Sequence, residues 1–439
     1  MVKVVFLCGG IGKRMHPITT DKFLLNFLGK TLLENQIELA QKAGFNDFVM
    51  VSNKRSIETI KGICKNVDAN IEFAIQKEAK GMADALISAR ELLIDDEIII
   101  VKPNDVVNIS AYKNILKEAK NKDYDSYVLG YVVDEYFPGG YLSVDKNDEI
   151  NGVVEKPGKG NEPSNIVNLV IHLHRKTKDL FKYMENTERD RDDIYEYSMD
   201  KMMKDGFKFK AVRYTGFWVA IQYPWHIFKV MNHFLDSIEQ KISPTAKIHK
   251  TAIIEGNVII DDNVRIFENA VVKGPTYIGK NCIIGNNALV RSSNIAANCV
   301  VGFSTEVKSS YICENCWLHM NYIGDSIIDS RCSFGSGSIT ANLRFDEENV
   351  KVNVEGQKIN SGTNKLGVIM GKDCGIGINA NIMPGIKVGP NSIIGAGVTL
   401  MEDLKPNKIA LLVDNSYCIK DNKCTPDIKK REEMRKKLK

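Results

Sequence analysis

From Ile242 onward an aliphatic residue recurs at every sixth position. One run is Ile242, Ile248, Ile254, Ile260, Ile266, Val272, Ile278, Ile284 and Val290; a second is Met370, Ile376, Ile382, Val388, Ile394 and Leu400. Glycine often follows the aliphatic residue, as at Gly279, Gly285, Gly302, Gly324, Gly371, Gly377, Gly389 and Gly395. A helix needs a period of 3.6 and a lone strand a period of 2, so a period of six fits neither. Six residues make one short strand plus a corner, and three such units close a triangular coil with the aliphatic side chains stacked inward. The pattern predicts a left-handed parallel β-helix of hexapeptide repeats over residues 244–412. Between Val290 and Phe334 some spacings fall to five, and the polar stretch 343–365 interrupts the ladder.

Residues 1–235 carry a different pattern. VKVVFLC, DFVMVS, EIIIV and YVLGYVV read as buried strands, separated by helical segments. Thr31 and Glu34 form a capping box that opens a helix running to Gly44. Alternating β and α elements predict an α/β, Rossmann-like domain with a mixed, mostly parallel sheet and ligands at the carboxyl ends of its strands. Residues 236–243, followed by Pro244, read as a hinge into the coil, and residues 413–439 as a basic tail ending in a solvated helix.

Composition narrows the function classes. The chain of 439 residues has 59 basic and 55 acidic side chains, scattered along its length, which predicts no nucleic-acid surface. No apolar run approaches the roughly 20 residues needed to span a membrane, so no membrane association and a cytoplasmic location are expected. Most of the ten cysteines, among them Cys8, Cys282, Cys299 and Cys374, fall at apolar strand or repeat positions and read as reduced core thiols.

The first strand runs into Gly9-Gly10-Ile-Gly12-Lys-Arg14. Glycines after a strand let backbone N–H groups turn inward around phosphate oxygens, and an arginine can grip them with two donors. Lys22 follows at a distance that allows a second phosphate contact. Asp105 ends the strand EIIIV and its turn, where a carboxylate is well placed for Mg²⁺, which prefers one or two carboxylates plus substrate phosphates.

Together these features resemble the sugar-1-phosphate nucleotidyltransferases. More narrowly, they resemble the bifunctional enzymes, the archaeal type above all, that acetylate glucosamine 1-phosphate and couple the product to UTP. The resemblance implies that Gly9, Gly10, Gly12, Arg14 and Lys22 hold a nucleoside triphosphate (UTP or dTTP), with Arg14 and Lys22 acting in catalysis. It implies that Gln76 reads the pyrimidine beside Gly81, that Asp105 binds Mg²⁺, and that Gly140, Glu155, Lys156 and Asn168 contact the sugar 1-phosphate. In the coil it implies that His319 is the acetyltransferase base. Arg291 and Lys308 would then hold the sugar phosphate, Tyr322 and Asn342 contact the sugar, and Gly395-Ala396 bind acetyl-CoA. An imidazole near its ordinary pKa suits the removal of a proton from an attacking amine. A homotrimer held by the coil is also implied.

The chain departs from the family pattern at several positions. Ala220 stands where a second magnesium-binding aspartate is usual, Val170 and Met82 replace a glycine and a threonine, Asp21 replaces the proline before Lys22, and Ser333 replaces an asparagine. Alanine cannot coordinate a cation, so weak uridylyl transfer is expected beside intact acetyl transfer. Two other readings fit parts of the chain: a nucleotidyltransferase with a purely structural coil, and a non-catalytic sensor or scaffold that binds sugar nucleotide.

Overall fold

The computed structural model describes residues 2–10, 12–78, 80–188, 193–413 and residue 433. The basic tail therefore lies outside the described residues, apart from Val413 and Glu433. The chain divides into two compact units, the first mainly 1–11 with 31–221, the second mainly 222–439 with the short segments 12–20 and 26–30. No helix of the described residues is long and apolar enough to cross a membrane.

The first unit is a nine-stranded sheet flanked by helices. In spatial order its strands are Asn70–Ile75, Asp47–Ser52, Val2–Cys8, Glu97–Val101, Ile166–His174, Ser126–Val132, Phe209–Tyr214, Glu149–Glu155 and Gly140–Val144. The first four are parallel, joined by helical crossovers. The strand Ile166–His174 runs antiparallel to both of its main neighbours. It follows Glu149–Glu155 through a loop with no crossover helix, so nothing obliges it to run parallel. The sheet is thus mixed throughout its second half, more so than the alternating pattern predicts. The capping box is present: Glu34 N donates to Thr31 Oγ1 at 3.2 Å, and Thr31 N donates to Glu34 Oε2 at 2.6 Å. The helix Leu32–Lys42 that it opens stops just before Gly44, whose φ of +102° suits glycine.

The second unit is a three-sided parallel β-helix. Its three sheets contain eight, nine and eight short strands. The sixfold sequence pattern resolves into three inward columns. One runs Ile260, Ile278, Ile295, Ile312, Ile328, Met370 and Val388, each paired in register with the next. The jump from Ile328 to Met370 is where 343–365 leaves the coil, carrying the hairpin Lys351–Val354 and Gln357–Asn360.

Asparagine turns many corners in the left-handed region, among them Asn263, Asn281, Asn298 and Asn315. Where the spacing falls to five, the tight corner instead places Ser292, Ser309, Met320 or Asp325 at positive φ. Five buried thiols line one corner. Cys282, Cys299, Cys316, Cys332 and Cys374 each donate to a backbone carbonyl of the next coil at 3.0–3.3 Å, and Ser392 repeats the bond with its hydroxyl at 2.9 Å. Cys316 also belongs to a C-x-x-C spacing with Cys313, and both are free thiols.

Candidate active sites

In the first unit the turn after Val2–Cys8 meets Gln76. A Cβ at Gly9 would collide with Gln76 Oε1, so any larger residue there would displace the glutamine amide. Gln76 is buried, and its Nε2 donates to Gly81 O at 3.2 Å and to Asp84 Oδ2 at 2.9 Å. Both amide hydrogens are thereby taken, and Oε1 remains as the acceptor. Gly81 opens the next helix at φ +100°. Gly10 is exposed, and a side chain there would meet nothing within 4 Å. Gly12 adopts the left-handed conformation and starts a short 3-10 turn through Arg14. In the second unit the Arg14 guanidinium lies 5.6 Å from the centre of the Tyr223 ring.

Asp105 is buried, and Trp218 Nε1 donates to its Oδ1 at 3.4 Å. Burial pushes its carboxyl pKa up, against the opposing pull of Lys102 and Lys22. Directly across an antiparallel pair stands Ala220. Among the described residues there is no cluster of three histidine, cysteine or acidic side chains that could hold a metal. One desolvated carboxylate fits a cation that arrives on a triphosphate, since Mg²⁺ usually takes one or two carboxylates plus substrate phosphates.

Gly140 pairs with Glu155 across the hairpin, and a Cβ at Gly140 would lie 2.6 Å from Glu155 Oε1 and 3.6 Å from Asn168 Cβ. Lys156 follows at φ +47°, its N–H donating to Gly139 O at 3.1 Å. Gly140, Glu155, Lys156 and Asn168 are therefore gathered at one place. Val170 and Met82 pack into the core. Asp21 is held by Arg55 and Ser56.

In the coil, Arg291, Lys308 and Gly324 are stacked in register on one face. Each cation has an acid. Arg291 Nη2 donates to Glu306 Oε1 at 2.6 Å, and Lys308 Nζ to Asp325 Oδ2 at 2.9 Å. Asn342 Nδ2 donates to Asp325 and, at 3.2 Å, to Tyr322 Oη. Burial pushes the Tyr322 phenol up, with Asp325 and Glu306 adding to the effect. His319 is exposed at the corner before Tyr322–Gly324, and among the described residues no hydrogen bond or ion pair joins its ring to this cluster. It occupies a corner column otherwise filled, over six successive coils, by Gly285, Gly302, Gly335, Gly377 and Gly395, as the backbone bonds between coils show. At Gly302, Gly335 and Gly377 a Cβ would lie 2.5–2.7 Å from the backbone of the next coil. His319 thus stands alone among glycines, beside a strip with no side chains that ends at Gly395-Ala396. Ser333 is the exposed residue of the strand Ser333–Phe334, whose Phe334 is buried in the coil.

Fold and sites together define a two-part transferase, a nucleotide-binding α/β unit followed by a hexapeptide coil. The nucleotidyl transferase family model matches residues 3–233. The bacterial transferase hexapeptide model matches 257–292 and 367–401, which makes the coil the left-handed β-helix of that class. The gap between those two matches contains three of the four five-residue corners, at Ser309, Met320 and Asp325, and His319. "Bifunctional protein GlmU" of Methanococcus maripaludis is 33% identical over 91% of this chain and 95% of its own length. The protein of the same name from Methanocaldococcus jannaschii is 33% identical over 92% and 96%. A "bifunctional sugar-1-phosphate nucleotidylyltransferase/acetyltransferase" of Sulfurisphaera tokodaii is 31% identical over 92% and 98%. The chain belongs to this family of bifunctional nucleotidyltransferase–acetyltransferases.

Sequence reasoning misses Asp84, Glu306 and the buried histidine that bonds Asn168. Asp84 acts from a helix and Glu306 from the next coil, while the histidine lies four residues along Asn168's own strand, and none carries a motif spacing of its own.

Proposed function

We propose that the coil transfers the acetyl group of acetyl-CoA to the amine of glucosamine 1-phosphate, and that the first unit couples N-acetylglucosamine 1-phosphate to UTP. The observation that carries the first half is the cluster of Arg291, Lys308, Tyr322, Asp325 and Asn342 on the coil face that His319 leads into. Arg291 and Lys308 hold the phosphate, and their acidic partners keep both cations in place until it arrives. Asn342 and Tyr322 contact the sugar. The His319 imidazole takes a proton from the amine as its nitrogen attacks the thioester carbonyl; the new N–C bond forms, the C–S bond breaks, and the thiol of coenzyme A leaves. The glycine strip leading to Gly395-Ala396 gives the extended cofactor a surface it can approach closely.

In the glycine-rich loop, Gly9, Gly10 and Gly12 hold the triphosphate through backbone N–H groups. Gln76, with Oε1 as its remaining acceptor, suits a base that offers an imide N–H, as uracil and thymine do and cytosine does not. Gly140, Glu155, Lys156 and Asn168 hold the sugar phosphate. One phosphate oxygen of that sugar attacks the α-phosphorus in line, and pyrophosphate leaves. Arg14 and Lys22 neutralise the charge that develops. Mg²⁺ held by Asp105 would add further neutralisation when bound with the nucleotide. With alanine opposite Asp105 this half turns over slowly.

The coil also assembles the protein as a homotrimer: Phe303, Trp317, Ile378 and Ile393 leave large apolar surfaces on its outside, each at least half exposed. Two assays on the purified chain test the activities separately. Acetyl-CoA with glucosamine 1-phosphate should release free thiol, and UTP with N-acetylglucosamine 1-phosphate should release pyrophosphate slowly. Absence of thiol release rules out the first half, and absence of any pyrophosphate the second.

A further inference from the structure

Behind Asn168, four hydrogen bonds run in a single line through the core of the first unit. Ser126 Oγ lies 2.7 Å from His174 Nδ1, and His174 Nε2 lies 2.7 Å from Tyr195 Oη. Tyr195 Oη lies 2.7 Å from His172 Nδ1, and His172 Nε2 lies 2.8 Å from Asn168 Oδ1. Ser126, His172, His174 and Tyr195 are all at most 1% exposed. The His172 and Tyr195 rings stack at 5.7 Å with 14° between their planes.

The acceptor at one end sets every proton in the line. Asn168 Oδ1 can only accept, so His172 carries its hydrogen on Nε2 and its Nδ1 lone pair accepts from the Tyr195 hydroxyl. The phenol has a single hydrogen, so its oxygen accepts from His174 Nε2–H. His174 Nδ1 in turn accepts from the Ser126 hydroxyl. Both rings are neutral in this arrangement. Burial pushes both imidazoles below their ordinary range, His174 to about 3, and His172 is pushed further by His174 and Lys102. Glu196, whose carboxyl burial pushes up to about 7, is the titratable neighbour on the Tyr195 side.

We propose that Ser126, His174, Tyr195 and His172 form a positioning line that locks the Asn168 amide with Oδ1 inward, so that Asn168 presents its Nδ2–H groups to an acceptor oxygen of the bound sugar. This rests on the assignment of Asn168 to the sugar-phosphate site. The oxygen it takes is a hydroxyl or an N-acyl carbonyl, and an ammonium group at the same place, having donors only, is rejected. None of the four residues behind Asn168 touches substrate. Their contribution is to hold one of two nearly isosteric amide orientations, which packing alone distinguishes poorly.

The test uses the full chain and two readouts. In long-range ¹H–¹⁵N spectra of histidine-labelled protein, His172 and His174 should both be neutral Nε2–H tautomers from pH 5.5 to 8. An Nδ1–H tautomer at His172, or titration of either ring in that range, overturns the line as drawn. Binding is read by calorimetry with UDP-N-acetylglucosamine and, separately, UTP. Tyr195→Phe and His172→Phe should weaken the sugar nucleotide about tenfold and leave UTP unchanged, while His172→Gln, whose amide can donate to Asn168 Oδ1, should recover most of the loss. If Asn168→Ala itself leaves sugar-nucleotide binding unchanged, the assignment of Asn168 is wrong. If Asn168→Ala weakens it but the Tyr195 and His172 variants do not, the positioning line is wrong.

Discussion

Ala220 faces Asp105 across two strands, so the site offers one carboxylate where two could stand without any change of backbone. That geometry gives a direct prediction. Ala220→Asp places a second carboxylate opposite the first, and uridylyl transfer, followed by pyrophosphate release at saturating Mg²⁺, should rise at least ~10-fold, equivalent to about 1.4 kcal/mol of barrier. An unchanged rate would mean that Asp105 alone suffices. The buried histidines give a second residue-scale prediction. His174 is held at about 3 when folded and titrates near 6.5 when unfolded. Between those values the unfolded chain binds the extra proton, so the stability this ring contributes is complete above pH 6.5 and is lost as pH falls toward 3, at up to about 1.4 kcal/mol per pH unit. Glu196, pushed up to about 7 by burial, has the opposite slope between its unfolded value and 7. The effect of His174 is therefore clearest below pH 4.5. Melting temperatures of the wild type and His174→Phe should converge as the pH is lowered, and parallel curves would contradict the buried neutral state.

At the scale of elements, the coil was legible in the sequence because a solenoid writes its geometry as a period. The aliphatic ladder from Ile260 to Leu400 needs no knowledge of distant contacts. The antiparallel strand Ile166–His174 was not legible, since its direction is set by how its loop returns and not by its own apolar run. The thiol column was hidden for another reason. Cys282, Cys299, Cys316, Cys332 and Cys374 look like ordinary small core residues, yet each satisfies a corner carbonyl that the coil leaves open. Cys316→Ala should cost about 1–3 kcal/mol, because the Asp329 carbonyl loses its donor in the interior. Cys316→Ser should cost less, as Ser392 makes the same bond on a later coil. Equal losses in thermal unfolding would show the column to be packing alone. The sites divide in the same way. Gly9, Gln76, Gly140 and Asn168 were marked by motif, while Asp84, which bonds Gln76 from a helix, Glu306, which bonds Arg291 from the next coil, and His172, which bonds Asn168 along their shared strand, belong to no motif.

For the molecule as a whole, Phe303, Trp317, Ile378 and Ile393 on the outer faces of the coil are each at least half exposed, and large apolar side chains left outside suit a subunit interface. Sedimentation equilibrium should give three times the chain mass of 49.2 kDa, and a concentration-independent monomer would exclude the trimer. The central claim is that one chain holds two chemistries, with acetylation at His319. The most direct test supplies glucosamine 1-phosphate, acetyl-CoA and UTP together and follows the products by mass spectrometry. The wild type should carry the sugar through to UDP-N-acetylglucosamine. His319→Ala should slow acetylation by about 10²–10⁴-fold, leaving glucosamine 1-phosphate unconverted, yet should still make the nucleotide sugar when given N-acetylglucosamine 1-phosphate. A His319→Ala variant that acetylates at the wild-type rate would contradict the account.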